Sequence, residues 1–184
     1  MKKVSNLKTA ILYAQAMYSG AEQDGELSAF HKNAKTLLNL INDGVEEFSI
    51  INNPIGEIKD KYIILDEVIK KLKFCNSMGN FLKVLAQNHR LNLLEIILKQ
   101  FISLYNDKHN IAEVDVTTVI ELSSEQDKRL KSKLSDIFNK KIEINYIINP
   151  EIVGGLVIKY GTNLIDVSIK HKLDTLEKIM KGTK

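Results

Sequence analysis

Tryptophan is absent from the 184-residue chain, cysteine occurs once, proline twice and glycine only nine times. The single cysteine, Cys75, rules out an internal disulfide and suits a reducing compartment. A strong excess of one charge is also missing: the net charge is +3, made of +2 over residues 1–108 and +1 over the remainder. Lysines are scattered among acids, so no segment carries the basic footprint of a nucleic-acid reader. No apolar run approaches the ~18 residues needed to span a bilayer. The opening "MKKVSNLKTAILYAQAMYSG" starts basic and turns apolar, but Asn6, Lys8, Thr9 and Gln15 interrupt it and no cleavage site follows. It reads as a helix rather than a signal peptide.

What is present is enough apolar content, 44%, for a sizeable core. Apolar residues recur at steps of three and four through Val4, Leu7, Ile11, Ala14 and Tyr18, and again through Leu27, Phe30, Ala34, Leu37, Ile41, Val45 and Phe48, with a break expected near Gly44. "INNPIGEIKD" reads as a loop, because Asn53 before Pro54 is pushed away from helical angles. Helical spacing resumes at Tyr62, Leu65, Val68, Ile69 and Leu72, then at Phe74, Met78, Phe81, Leu82 and Leu85, and finally at Leu91, Leu94, Leu98, Phe101, Ile102 and Tyr105. Residues 1–108 are therefore predicted to form an all-helical bundle of five or six members.

Beyond "NDKHN" the period falls to two. Ala112, Val114, Val116, Thr118 and Ile120 line one face of a half-buried strand, with Glu113, Asp115, Thr117 and Glu121 on the other. Ser123 or Ser124 caps a following helix, with Gln126 placed for a capping box and Leu130, Leu134, Ile137 and Phe138 pointing inward. "KIEINYII" alternates again, with Ile142, Ile144, Tyr146 and Ile148 on one side. Gly154 and Gly155 stand at the entrance to the strand "LVIKY", where a Cβ would block a bulge or close approach, and Gly161 turns the chain into "LIDVS". Ser168 caps a last helix whose buried stripe is expected at Ile169, Leu173, Leu176 and Ile179 or Met180. Residues 109–184 thus read as a small mixed α/β domain, giving an α + α/β chain overall.

Candidates for chemistry do not combine. The Gly154-Gly155 pair lacks the spacing and the following helix of a phosphate loop. Cys75 lies beside Phe74 on an apolar stripe, and no third residue orients His89 toward it, so a packed cysteine is the better reading. His31, His89, His109 and His171 lack metal-ligand spacing, and Glu46-Glu47 and Asp66-Glu67 read as solvated helix faces. No catalytic residue, metal or cofactor is expected.

"NPEIVGGLVIKYGTNLIDVSIKHKLDTL" resembles the carboxyl-terminal pattern of the delta subunit of bacterial F-type ATP synthases, the oligomycin-sensitivity-conferring protein of mitochondria. In that pattern a short strand leads to a glycine pair, an apolar strand, a glycine-centred turn, an "iDgS" stretch and a leucine-bearing last helix. Asp166 matches its acid, and Val167 departs from its glycine. "LYAQAMY" is similar to the family's opening helix, and "NFLKVLAQNHRLNLLEIILKQFISL" to its fifth and sixth helices. The ordered combination across both domains is more specific than any one match.

The resemblance implies a non-catalytic stator subunit. Its amino-terminal bundle would bind the amino-terminal helix of an alpha subunit in a groove between the family's first and fifth helices. Its carboxyl-terminal domain would meet the b subunits of the peripheral stalk. Carried over, Tyr13, Ala14, Ala16, Met17, Asn80 and Val84 become the partner-binding candidates, and Gly154, Gly155, Gly161 and Asp166 the structural ones. The small Ala14 and Ala16 would let a helix approach, and Tyr13 and Met17 would give it apolar contact. The implied location is the cytoplasmic face of a bacterial inner membrane, peripheral and not inserted, which the lack of a transit-peptide pattern favours. The alternative is a helix-binding adaptor of another assembly, which co-purifying partners would distinguish.

Overall fold

Helical spacing over the first hundred residues is realised as five α-helices among the residues that the computed structural model describes, 2–44 and 58–181. They are α1 (Lys2–Gln23), α2 (Leu27–Asn42), α3 (Ile58–Leu72), α4 (Asn76–Gln87) and α5 (Leu94–Lys108), the last entered through a 3-10 turn at Leu91–Leu93. The expected continuation of the second helix to Val45 and Phe48, the Asn53-Pro54 loop and the side chains of Val4 and Tyr62 lie outside what is described. Helix α2 stops at Asn42, with Gly44 beyond it at φ 71° and its N–H bonded to the Ile41 carbonyl. That left-handed glycine is the usual way to end a helix.

The first unit, Met1–Tyr105, buries Phe30, Leu37, Leu65, Met78, Leu82, Leu85, Ile97, Leu98 and Phe101 in one continuous core. Phe30 and Phe101 pack with ring centroids 4.9 Å apart, and His31 stacks on Tyr105 at 3.8 Å. Burial of a leucine or phenylalanine side chain is worth about 1.5–3 kcal/mol, so this core holds the bundle without covalent help. The buried stripe of α1 keeps Ala14 and Tyr18 of the expected face and departs from it elsewhere. Ala10, Ala14, Met17, Tyr18 and Ala21 face the core, whereas Leu7 and Ile11 are exposed. Small side chains set this phase, because three alanines on one face let α1 approach its neighbours closely.

The second unit, Asn106–Lys184, is the mixed α/β part of the chain. Strand β1 (Ile111–Thr118) leads through α6 (Ser124–Phe138) to β2 (Lys141–Ile148), which pairs with β1 in parallel, as a helical crossover requires. A 3-10 turn at Pro150–Ile152 leads to β3 (Leu156–Tyr160), which pairs antiparallel to β1. β4 (Asn163–Asp166) closes a hairpin on β3, and α7 (Ile169–Met180) follows. The sheet order is β2-β1-β3-β4. Its packed face sets Val114, Val116, Ile142, Ile144, Leu156 and Ile158 against Leu130, Leu134 and Phe138 of α6.

Local chemistry explains the boundaries. Ser123, not Ser124, is the cap of α6: its hydroxyl accepts from the Gln126 N–H at 3.3 Å, and the Gln126 side chain accepts from the Ser123 N–H at 2.9 Å. The Gly161 turn, at φ 57°, joins β3 to β4. Gly155 is required twice over. Its φ is 82°, and a Cβ there would lie 2.5 Å from the Val167 carbonyl oxygen. At Gly154 an added Cβ would meet Ile169 Cδ1 at 2.6 Å.

Several residues of the expected apolar faces are exposed. Strand β1 ends at Thr118, whose hydroxyl donates to the Ile120 carbonyl, and Ile120 is exposed. Tyr146 and Ile148 lie on an edge strand and are also exposed, as is Ile137 beside the inward Leu134 and Phe138. The whole expected stripe of the last helix, Ile169, Leu173, Leu176, Ile179 and Met180, is exposed. The helix has its apolar face, but the described part of the chain does not cover it.

Candidate functional site

Helix α4 begins beside the end of α1 and finishes beside its middle. At one end the Ser77 hydroxyl donates to Asp24 at 2.7 Å and to Glu26 at 2.7 Å, and the Ser77 N–H donates to Glu26 at 2.9 Å. These bonds hold the Glu26 carboxyl below the usual carboxylate range, the side-chain bond from Ser77 contributing most. At the other end Arg90 lies with its guanidinium carbon 5.4 Å from the Tyr13 ring centroid and Nη1 3.4 Å from the Tyr13 hydroxyl. Between them Tyr13 and Phe81 meet edge-on at 6.4 Å. The two helices are antiparallel and meet at this aromatic pair, along the α1–α4 groove that the resemblance implies.

The predicted partner-binding residues divide over this surface. Ala16, Asn80 and Val84 are exposed, and Tyr13 is half-buried against Phe81. Ala14, at 2% exposure, and Met17 belong to the bundle core: they share the helical phase of Ala10, Tyr18 and Ala21, so the bundle already covers them. Leu12, 67% exposed on α1, and Arg90 were not picked out by sequence reading. Leu12 had a signal, since it breaks the spacing of the buried stripe and remains a large apolar group without an inward place.

The second apolar surface is α7. Its stripe from Ile169 through Leu173 and Leu176 to Met180 runs at steps of four, three and four residues, the spacing by which one helix meets another. The predicted structural residues hold its start. An Asp166 carboxylate oxygen accepts from the Ser168 N–H at 2.8 Å, and the Ser168 hydroxyl accepts from the His171 N–H at 3.1 Å. The bonds to Ser168 hold the Asp166 carboxyl below the usual range. Gly154 accepts from the Ile169 N–H at 2.9 Å, and Gly155 leaves room for Val167 and Ser168.

Other reactive groups are already engaged. A cavity of about 460 Å³ beside β2 is lined by Thr118, Glu121, Asp127, Lys131 and Tyr146, among others. Asp127 pairs with Lys131 at 2.9 Å and accepts from the Tyr146 hydroxyl, so its carboxyl is held low, chiefly by Lys131. Burial and Asp127 together push the Tyr146 phenol up to about 12. Cys75 precedes α4 and His89 follows it, so the helix separates them, and burial pushes the Cys75 thiol up. Among the described residues no group of three or more His, Cys, Asp or Glu could hold a metal, and no helix is long and apolar enough to cross a membrane.

A model of the "ATP synthase delta (OSCP) subunit" family matches residues 10–180. "ATP synthase subunit delta" of Prochlorococcus marinus is 33% identical over 165 residues, covering 89% of this chain and 91% of that protein. The subunit of the same name from Sinorhizobium medicae is 30% identical over 169 residues, covering 92% and 90%. "ATP synthase subunit 5, mitochondrial" of Candida glabrata is 30% identical over 177 residues, covering 93% and 85%. A chain of the Toxoplasma gondii mitochondrial ATP synthase hexamer shares the fold, with a TM-score of 0.69 at 19% identity over 94% of this chain and 97% of that one. With matches running through bundle, sheet and last helix in order, the chain belongs to the ATP synthase delta (OSCP) subunit family.

Proposed function

We propose that the chain is a non-catalytic stator subunit of an F-type proton-translocating ATP synthase, linking the catalytic head to the peripheral stalk during rotary synthesis. Proton flow turns a rotor, and the head would turn with it unless a second connection opposed the torque. Such a connector must hold two partners at once and need do no chemistry. The observation that carries this reading is the pair of uncovered apolar surfaces on separate units, the α1–α4 groove and the α7 stripe. Exposed apolar surfaces of this kind mark partner contacts. The groove is assigned to the amino-terminal helix of an alpha subunit and the α7 stripe to b subunits, at the cytoplasmic face of a bacterial inner membrane.

Full-length chain titrated with synthetic peptides tests the assignment. An alpha amino-terminal peptide is expected to bind until Val84→Glu is introduced, and a b carboxyl-terminal peptide until Leu173→Ser and Leu176→Ser are combined. Each substitution should leave the other peptide's affinity unchanged. Failure of both peptides to bind the native chain, or capture of an unrelated assembly from cell extract in place of ATP synthase subunits, defeats the reading.

A further inference from the structure

The cavity of about 460 Å³ in the second unit lies outside the carboxyl ends of β1 and β2, beside the start of α6. Thr118 and Ile148, the last residues of the two strands, stand opposite each other in its lining. This end of a parallel pair, where the connecting helix starts, is where α/β folds commonly hold a ligand, and the volume falls within the range of about 300–1,000 Å³ usual for such sites. Its rim is fastened. The Thr118 hydroxyl donates to the Ile120 carbonyl, the Asn149 N–H donates to the Thr118 carbonyl at 2.8 Å, and the capping box at Ser123 holds the first turn of α6. We propose that this cavity receives an arginine side chain of a partner polypeptide: its guanidinium is taken by Glu121 and the Tyr146 ring, and its methylenes lie along Leu122 and Ile148.

Two carboxylates, Glu121 and Asp127, and one ammonium, Lys131, line the cavity. Asp127 is committed already: it pairs with Lys131 at 2.9 Å and accepts from the Tyr146 hydroxyl, which fixes the phenol in place. Glu121 is exposed and has no hydrogen bond or ion pair among the described residues, so its carboxylate is the uncompensated charge of the cavity. An anion is disfavoured although a helix starts here, because the first turn of α6 carries Glu125 and Asp127 and its Gln126 N–H is taken by Ser123. A cation that fits must also cover apolar walls, since Leu122, Ile148 and the Tyr146 ring stand beside the charge. Guanidinium meets both demands better than ammonium: it is planar, bonds a carboxylate through two parallel N–H donors, stacks on an aromatic face and is more weakly hydrated. The cavity shares no residue with the α1–α4 groove or the α7 stripe, so its assignment stands or falls independently of the stator reading.

Isotope-labelled full-length chain titrated with N-acetyl-arginine methylamide provides the test. Saturable shifts are expected at the amides of Thr118, Glu121, Leu122, Tyr146 and Ile148. The citrulline analogue, of the same shape without the charge, should bind at least about fivefold more weakly, and the lysine analogue should fall between the two. Glu121→Gln, at an exposed position without a partner, should keep the fold and weaken the arginine probe about fivefold at low salt and less at high salt. Butylguanidine keeps the stem and head without peptide groups and so separates the two sources of a guanidinium. Weaker binding than that of the capped arginine supports the polypeptide source, and equal or tighter binding assigns the cavity to a free small guanidine and overturns it. Absence of saturable shifts at these residues, equal affinity for the citrulline or lysine analogue, or unchanged affinity in Glu121→Gln with a native spectrum overturns the proposal.

Discussion

The helical unit and the α/β unit bury their apolar residues to different depths. In the first, every long helix with described side chains contributes to one core, and Phe30, Phe101, Leu82 and Leu98 lose essentially all contact with solvent. In the second, the cluster of fully covered residues is Val114, Val116 and Leu134, ringed by half-buried neighbours, while the last helix leaves its apolar stripe outside. An apolar stripe at helical spacing is thus no guide to where a helix packs. In the bundle and on α6 it closes the fold, and on α7 it is left over for something else.

The largest effect that would sharpen this contrast is expected in the bundle core. Phe101→Ala should cost about 3–5 kcal/mol, read as a drop in the chemical denaturation midpoint of the first unit. A loss well under that range would mean that the core is looser than its burial implies. Next comes Gly155→Asp, which forces a side chain into left-handed backbone and against the Val167 carbonyl. Strain of this kind costs about 1–3 kcal/mol before the clash is added, so the second unit should lose hydrogen-exchange protection while the bundle keeps its own. Normal protection in both units would defeat the assignment.

Ala14 and Val84 divide core from groove by the same substitution. Ala14→Glu buries an unpaired charge and overfills the contact of α1, so the bundle should lose several kcal/mol, on the order of 3–5. Val84→Glu, on an exposed face, should change stability by no more than about 0.5 kcal/mol and act on peptide affinity alone. Equal destabilisation by both would erase the distinction.

The smallest effects concern the start of α7. Ser168→Ala removes the cap and should cost about 1 kcal/mol, read from helix content or from exchange of α7 amides. Asp166 adds a pH dependence. Its carboxyl is held low in the folded chain, so the stability it supplies is complete above the ordinary carboxylate range and fades as pH falls through the lowered folded value. Asp166→Asn should flatten that acid limb in urea titrations of the second unit, and an identical limb in the variant would refute the link.

Much of this architecture could be read from residue patterns. The change of period after Asn110, the capping box at Ser123 and Gln126, and the glycine at the β3–β4 turn each depend on a few neighbouring residues, and each is found where those residues stand. The phase of α1 was only partly legible: Ala14 and Tyr18 are buried as expected, but alanines that permit close approach carry a weaker apolar signal than Leu7 and Ile11, which face out. The exposure of α7 was not legible: Leu173 and Leu176 have the same spacing whether they meet the chain's own sheet or another protein. Of the groove candidates, Ala14 and Met17 stand in the bundle core, and Ala14 was already on the expected stripe. Arg90 was passed over because its contact with Tyr13 spans 77 positions of sequence.

The capped start of α7 gives its open stripe a thermodynamic meaning. The helix has 12 residues, and a helix that short is marginal in water without packing. Ser168, Asp166 and Gly154 hold its first turn, while the residues beyond depend on their own backbone bonds. The far end of α7 should therefore open and close on its own, independently of the sheet, with a free energy well below that of global unfolding. Anything that covers Leu173, Leu176 and Met180 must stop that breathing, so the exchange rate of the last helical amides serves as an occupancy gauge for the face, readable without altering a single residue in it.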